Sequence, residues 1–394
     1  MRMTRLFNQV NQDNQGSQAN RLSRLALPLT LLGLAGVVAH NWRLWQRDRA
    51  MVAQREPPTP LPPLSAWASL PLVTILVAAW NEADLIAAHI ERVLGLRYPH
   101  KQLVLCAGGT DQTYQIAQRY AGEQVQVLEQ HAGEGKQAAL ERGLALAHGT
   151  LIYFTDADCL LDDETFERLI YVLACEGEQA ATGASMPLPE QQTNSFVQQQ
   201  WAPPSYIHGS NRDDYDQGLL GRNCAVTKEW VVQAWQPRRR IVSGTDYYLA
   251  LRLRQAGVAI RRVPASVIAT RFPTSVPAYV RQQRRWLRNV VQLGFAYGAP
   301  AEAARVMQTT AVGIMMLALP LGAVRWRVAG GVWVILLTHA LLARLRYLWV
   351  LRATARVPIR QTTYLLLLPM LGLDWVIWSR AALDFGLHPT RWQW

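Results

Sequence analysis

The chain has 394 residues, enough for two or three domains of ordinary size. Charged residues make up 17% and apolar residues 50%, which excludes a disordered chain and points towards lipid. Forty basic against 28 acidic residues leave a net charge of +12, but ten Arg and only three acids lie in residues 301–394 beside apolar runs, so the excess reads as membrane flanks and nucleic acid is not an expected partner.

Residues 1–24, Asn/Gln-rich over 7–20, read as a loose tail. Residues 25–42 carry no charge and are flanked by Arg21, Arg24, Arg43, Arg47 and Arg49, which predicts a first membrane span; a signal peptide ending near Ala39 is the competing reading. Residues 43–70 are a linker, stiffened by EPPTPLPP at 56–63. Residues 71–272 form a globular domain, and 273–305 mix Arg with Trp, Tyr, Phe and Leu as an amphipathic segment expected at the bilayer interface.

Residues 306–384 are expected to hold three further spans: 306–324, 328–343 extended past Arg344 and Arg346, and 361–379, interrupted by Asp374. The expected total is therefore about four. An acid inside a span tends to face protein or water, and for Asp374 a structural hydrogen bond is preferred over a substrate role. Residues 385–394 are a tail. Arg344, Arg346, Arg352, Arg356 and Arg360 lie between the last two runs, against Arg325 and Arg327 between the second and third. The positive-inside rule then puts the globular domain in the cytosol, at a plasma or inner membrane. Four scattered cysteines form no C-x-x-C pair and read as reduced thiols.

Within the globular domain, short β-branched runs at 72–79, 102–106, 125–129 and 150–155 predict strands. Helical segments at 82–95, 111–121 and 135–148 follow the first three. This alternation predicts an α/β fold, a mainly parallel sheet with helices on both faces, whose ligands sit beyond the carboxyl ends of the strands. The fourth strand runs into Asp156-Ala157-Asp158, a pair of hard oxygen donors suited to Mg²⁺ or Mn²⁺ and substrate phosphates. Solvated turn acids are the bland alternative, disfavoured by the position after an apolar strand. The first strand ends at Asn81-Glu82, and the second at Gly108-Gly109-Thr110-Asp111, a glycine turn opening a helix. The third leads to Gly135-Lys136-Gln137-Ala138-Ala139-Leu140, where Lys136 either counters a diphosphate or is a solvated lysine. Downstream lie Gly221-Arg222-Asn223-Cys224-Ala225, Gly244-Thr245-Asp246 and Gln282-Gln283-Arg284-Arg285-Trp286.

The series N-E, G-G-T-D, G-K-x-A-A-L, D-A-D, T-D and Q-x-x-R-W, in this order over about residues 72–290, resembles a family 2 glycosyltransferase of the GT-A, Rossmann-like fold. It is similar to the membrane-embedded branch with cellulose synthase, hyaluronan synthase and ceramide glucosyltransferase. The resemblance implies a donor site of Asn81, Glu82, Asp111, Lys136, Asp156, Gln282 and Arg285. It implies a metal bound by Asp158 with Asp156, and Asp246 as the general base. Trp286, Asn223, Cys224 and Thr245 would face the acceptor, although Trp286 also suits an interface anchor. Relatives usually carry an acid that contacts the donor base where Ala107 stands, a departure from the pattern; the resemblance implies a uridine donor.

Direct displacement with inversion is expected, because one carboxylate base is present and no nucleophile is inferred. The partners implied are a nucleotide-sugar donor, the bilayer, and a membrane lipid or polysaccharide acceptor. Single-sugar transfer to a lipid hydroxyl is preferred, since processive relatives generally have more spans; oligomerisation into a channel would restore the polymer reading. A non-catalytic, glycosyltransferase-like membrane scaffold is the reading from another class.

Overall fold

The computed structural model describes the backbone of residues 2–210, 213–236, 241 and 243–387, and within these the side chains of all but 2–24 and 382–387. In chain order the elements are α1 (Arg2–Ala53), β1 (Val73–Trp80), α2 (Ile86–Leu94), β2 (Lys101–Gly108), α3 (Thr113–Gln118), β3 (Val125–Gln130), α4 (Gly135–Ala145) and β4 (Leu151–Asp156). There follow β5 (Cys159–Leu160), α5 (Asp163–Ala174), β6 (Ala180–Pro187), α6 (Ser195–Ser210), β7 (Tyr215–Asp216), β8 (Cys224–Thr227), α7 (Lys228–Ala234), α8 (Thr245–Gln255) and β9 (Ile260–Thr270). The chain ends in α9 (Val276–Ala296), α10 (Pro300–Ala323), α11 (Arg327–Ala355), α12 (Gln361–Leu365) and α13 (Leu367–Leu387). It divides into a sheet unit, chiefly residues 56–197 and 207–306, and a helical unit formed by residues up to Arg55, Gln198–Tyr206 and Met307–Leu387.

The four strands expected from the β-branched runs are present, each within two residues of its expected bounds. Their near-continuous apolar character follows from burial on both faces: Val73, Ile75, Leu76, Val77, Leu103, Val104, Leu105, Ile152 and Tyr153 are all at most 1% exposed. The nine-stranded sheet runs β3-β2-β1-β4-β8-β6-β9-β5, with β7 on β9. The expectation of a mainly parallel sheet is corrected. Strands β1–β2, β2–β3, β1–β4 and β6–β9 pair parallel, whereas β4–β8, β6–β8, β5–β9 and β7–β9 pair antiparallel. Strand–helix–strand crossovers enforce parallel pairing only up to β4; β8 then enters beside β4 from the opposite direction, which needs no such crossover.

That reversal positions the site. β8 opposes β4, and β6 opposes β8, so β6 and its parallel neighbour β9 point the same way as β1 to β4. One edge of the sheet therefore gathers the carboxyl ends of β1, β2, β3, β4, β6 and β9 with the amino end of β8. Register brings Cys224 opposite Phe154, Trp80 beside Gly108, and Cys159 opposite Thr270.

Among the described residues, three helices are long and apolar enough to cross a membrane: Leu25–Ala53, Pro300–Ala323, whose first turns belong to the sheet unit, and Arg327–Ala355. The expected fourth span is corrected: its run is divided at Leu366 into α12 and α13. Pro369 lies in the first turn of α13 and has no N–H to continue a helical ladder back into α12. Residues 2–24, expected as a loose tail, are helical backbone continuous with α1, which also takes in the first part of the expected linker. The expected C-terminal tail lies outside the described residues from 388 on. Arg344 and Arg346 face protein. Arg344 pairs with Asp374 and donates to the Gln199 carbonyl (3.0 Å), and Arg346 pairs with Asp48 at 2.8 Å. The segment Gln198–Tyr206 is held among these helices by its polar side chains. Gln198 donates to the Pro358 carbonyl (2.9 Å) and accepts from the Thr363 hydroxyl (2.6 Å), and Gln199 donates to the Thr363 carbonyl (2.7 Å).

Candidate active site

The turn after β2 is built for close approach. Gly109 has φ +129°, and a Cβ there would lie 2.2 Å from Asn81 Oδ1; at Gly108 it would lie 2.1 Å from the Gln130 carbonyl oxygen. Asn81, itself at φ +59°, accepts from the Thr110 N–H at 2.7 Å. Asp111 accepts from the Thr113 N–H (3.0 Å) and hydroxyl (2.5 Å) and from the Ala83 N–H (3.1 Å). Against the cost of desolvation, these bonds hold its carboxyl below the ordinary value. Asn81 and Asp111, expected to meet the donor, thus tie the ends of β1 and β2 together. Asp111 remains exposed at this edge.

Glu82 is different. Its Oε2 accepts no hydrogen bond, and the nearest cation, Arg271, stands 3.9 Å away. Burial, followed by the charge of Asp158, pushes its pKa up to about 7. Arg271 itself pairs with Asp84 at 2.5 Å.

At the end of β4 the two aspartates take opposite characters. Asp156 is pushed up by burial, but the Lys136 ammonium at 2.5 Å, then Arg222 and more weakly Arg285, outweigh this and hold it below the usual range. Asp158 is pushed up by burial and then by Asp156. Its own partners are weak: the Thr270 hydroxyl at 3.3 Å and the Cys159 thiol at 3.6 Å. Among the described residues no three His, Cys, Asp or Glu side chains group to enclose an ion. The donor set still fits a divalent metal. Two crowded carboxylates, one without a strong partner, are what a hard cation relieves, with substrate phosphate oxygens completing its shell.

Lys136 was expected to counter a diphosphate. The structure places it on Asp156 and, at the same time, on a recess of about 20 Å³ that it lines with Gly221, Cys224, Trp235, Thr245 and Asp246. Asp246 sits in the first turn of α8, where its carboxylate accepts from its neighbour Tyr247 N–H (2.9 Å) and from Gly221 N–H (3.2 Å). The fit is close, for a Cβ on Gly221 would lie 2.7 Å from Asp246 Cβ. Thr245 is buried against the recess with a hydroxyl that finds no partner. Cys224 lines it too, its thiol pushed well up by burial.

Asn223, expected to face the acceptor, lies inside the sheet edge. It has no exposed surface, and its amide is consumed by the Tyr153 hydroxyl (2.6 Å), the Ala184 carbonyl (2.9 Å) and Ser266 (3.1 Å). It ties β4, β6 and β9 together from the residue just before β8. Trp286 is 42% exposed on α9, and Gln282 is half-buried one turn before it. α9 is linked to the start of α8 by Asn289, 2.9 Å from the Ser243 hydroxyl.

Sequence reasoning did not assign Arg222, Thr270 or Arg271 to the site. Arg222 donates to the Thr270 hydroxyl (3.3 Å), which in turn donates to Asp158. Burial pulls its guanidinium down, but the charges of Asp156, Cys159, Asp158 and Asp246 outweigh this and hold it above the ordinary arginine value. Its only signal was an arginine inside the quoted G-R-N-C-A run. Thr270 ends, and Arg271 follows, a strand that no motif marked.

One sheet edge therefore carries two carboxylates for a cation, three basic side chains facing them, and a separate carboxylate at a helix start. Such a set can hold a diphosphate, stabilise its departure and accept a proton.

Comparison with known proteins bears on this arrangement. A family model described as "Glycosyltransferase like family 2" matches residues 71–289, more than half the chain. The chain is 27% identical over 120 residues to glycosyltransferase AglE of Haloferax volcanii, covering 29% of this chain and 40% of that one. It is 38% identical over 97 residues to a beta-monoglucosyldiacylglycerol synthase of Nostoc sp., covering 23% and 21%. The matches thus span less than half of these relatives' length. In fold it is similar to the mannosyltransferase PcManGT from Pyrobaculum calidifontis, solved in complex with GDP-Man and Mn²⁺, with a TM-score of 0.50 and 18% identity over 92% of this chain and 98% of that one.

Proposed function

The chain belongs to glycosyltransferase family 2, and from that premise we propose that it is an inverting, metal-dependent hexosyltransferase. It moves a sugar from a nucleoside-diphosphate sugar, a UDP-sugar by resemblance, to a membrane-borne hydroxyl. The observation that carries this is the double placement of Lys136, bonded to Asp156 and lining the same recess as Asp246. It puts the pole suited to a leaving group next to the group suited to a base.

Mg²⁺ or Mn²⁺ held by Asp158 with Asp156 would neutralise charge on the diphosphate. Lys136, Arg222 and Arg285 supply fixed positive charge on the same side, where negative charge grows as the bond from the anomeric carbon to the phosphate oxygen breaks. Asp246, oriented by the Gly221 and Tyr247 N–H groups, takes the proton from the acceptor hydroxyl as its oxygen bonds to that carbon. Glu82 and Asp111 border the nucleoside side, Gln282 closes over the diphosphate, and the exposed Trp286 face packs against the acceptor.

The acceptor we favour is a lipid hydroxyl, receiving one sugar. Three long apolar helices in the same chain and the Arg- and Trp-bearing helix α9 support a membrane-borne substrate. With only Arg325 and Arg327 at the turn from α10 into α11, and Arg352 in the last turn of α11 followed by Arg356 and Arg360, the Arg distribution supports a cytosolic sheet unit. The test is a panel of nucleotide-sugars with the purified chain in lipid nanodiscs and Mn²⁺ or Mg²⁺, following nucleoside diphosphate release and product size. Release from one donor, abolished by Asp158→Ala, is expected. Asp246→Asn should abolish transfer while donor affinity stays within about threefold. A product ladder would replace lipid glycosylation by polymer synthesis. No release from any donor would leave a non-catalytic scaffold.

A further inference from the structure

Helix α2 buries Ile86, His89, Ile90 and Val93, the i, i+3, i+4, i+7 stripe of an amphipathic helix. At His89 the pattern calls for an apolar side chain, yet an imidazole stands there with no exposed surface. Burying a polar ring is costly unless its polar atoms are bonded, and here only one of two is. His89 Nδ1 lies 2.8 Å from the Cys159 carbonyl oxygen, while Nε2 is buried with no partner. A carbonyl only accepts, so Nδ1 carries the proton. The single bond that accounts for this histidine holds the Cys159–Leu160 peptide, one residue past Asp158.

The same short turn is held from the opposite side. The Arg271 N–H donates to the Asp158 carbonyl (3.2 Å), the Thr270 hydroxyl donates to the Asp158 carboxylate (3.3 Å), and Cys159 pairs with Thr270 in the sheet. Those contacts come from β9 and the residue that follows it. His89 is the anchor from α2, across the turn.

We propose that His89 is a positioning residue for the metal-binding turn: by donating to the Cys159 carbonyl it fixes the path of the chain after Asp158, and so the aim of the Asp158 carboxylate. This rests on the reading of Asp158 as a metal ligand. Groups that orient ligands without touching the ion change metal affinity about 10–100-fold when removed.

The test uses the full chain in nanodiscs, with His89→Leu and His89→Asn. The Asn amide nitrogen takes the place of Nδ1 and keeps the donor; Leu removes it and restores the apolar stripe. Mn²⁺ binding is read from the electron paramagnetic resonance signal of free Mn²⁺, with UDP and separately with GDP present, alongside the thermal midpoint. His89→Leu should weaken Mn²⁺ binding about 10–100-fold without lowering the midpoint, since it also removes an unpartnered buried nitrogen. His89→Asn should stay within about threefold of wild type. Equal Mn²⁺ affinity in wild type and His89→Leu overturns the proposal while leaving the metal reading intact. So does a parallel loss of stability and affinity that His89→Asn fails to rescue. If the wild-type chain binds no Mn²⁺ with either nucleotide, the metal reading itself fails and this inference falls with it.

Discussion

Replacing any one of Asp48, Arg346 or Tyr206 should destabilise the helical unit, whereas replacing all three together with apolar side chains should not. Arg346 and Asp48 meet at 2.8 Å with side chains 8% and 2% exposed. Tyr206 completes the set, donating to Asp48 at 3.0 Å and accepting from Arg346 at 2.7 Å, with its ring stacked on Tyr347 at 4.3 Å. Removing one ion of a buried pair leaves the other uncompensated and costs about 3–5 kcal/mol, so Asp48→Leu and Arg346→Met should each lose that much. Tyr206→Phe strands two hydrogen bonds to charged groups and should cost about 1–3 kcal/mol. The triple variant buries no stranded polar group and should lie near wild type, because desolvating the ion pair offsets most of its attraction. The assay is thermal unfolding of the full chain in nanodiscs. At roughly 2 °C per kcal/mol, the ion-pair singles should fall by about 6–10 °C. Singles without effect, or a triple as unstable as the sum of its singles, would refute this reasoning.

Gly109→Ala should lower the thermal midpoint and donor affinity together, because alanine at φ +129° is strained by about 1–3 kcal/mol and its Cβ would displace Asn81 Oδ1 from 2.2 Å. Unchanged stability would show that the turn rearranges freely. Arg222→Gln should lower kcat about 10²-fold, the scale of losing one stabilising donor, measured by nucleoside diphosphate release in nanodiscs. An effect confined to KM would place Arg222 in ground-state binding instead. Asn223→Ala should act on stability, lowering the midpoint by stranding the buried Tyr153 hydroxyl that donates to its amide. An acceptor-specific KM increase in a fully stable protein would return it to the acceptor site.

Several features were legible in the sequence because they depend on local chemistry. A strand buried on both faces must be a short apolar run, and β1 to β4 each contain one. Asp156 and Asp158 follow β4 directly, so their neighbourhood was implied by the end of the strand. The glycines at 108 and 109 announced a tight turn, although the reason, contact with Gln130 and Asn81 across the sheet edge, involves residues 20 to 30 positions away.

Tertiary structure decided what depends on distant segments meeting. The antiparallel entry of β8 brings Arg222 to the aspartates and turns Asn223 inward, and no local pattern distinguishes those neighbours. Lys136 reads as a solvated or phosphate-facing lysine until β4 places Asp156 at 2.5 Å from it. His89 is an anomaly on an apolar stripe whose partner, the Cys159 carbonyl, lies 70 residues away. The fourth apolar run is divided at Leu366, three residues before Pro369, whose missing N–H removes one backbone bond back into α12; hydropathy counts side chains and carries no sign of that break. Local residue type thus determined the strands and turns. Long-range register, which joins backbone directions as well as side chains, determined which charges share one edge of the sheet.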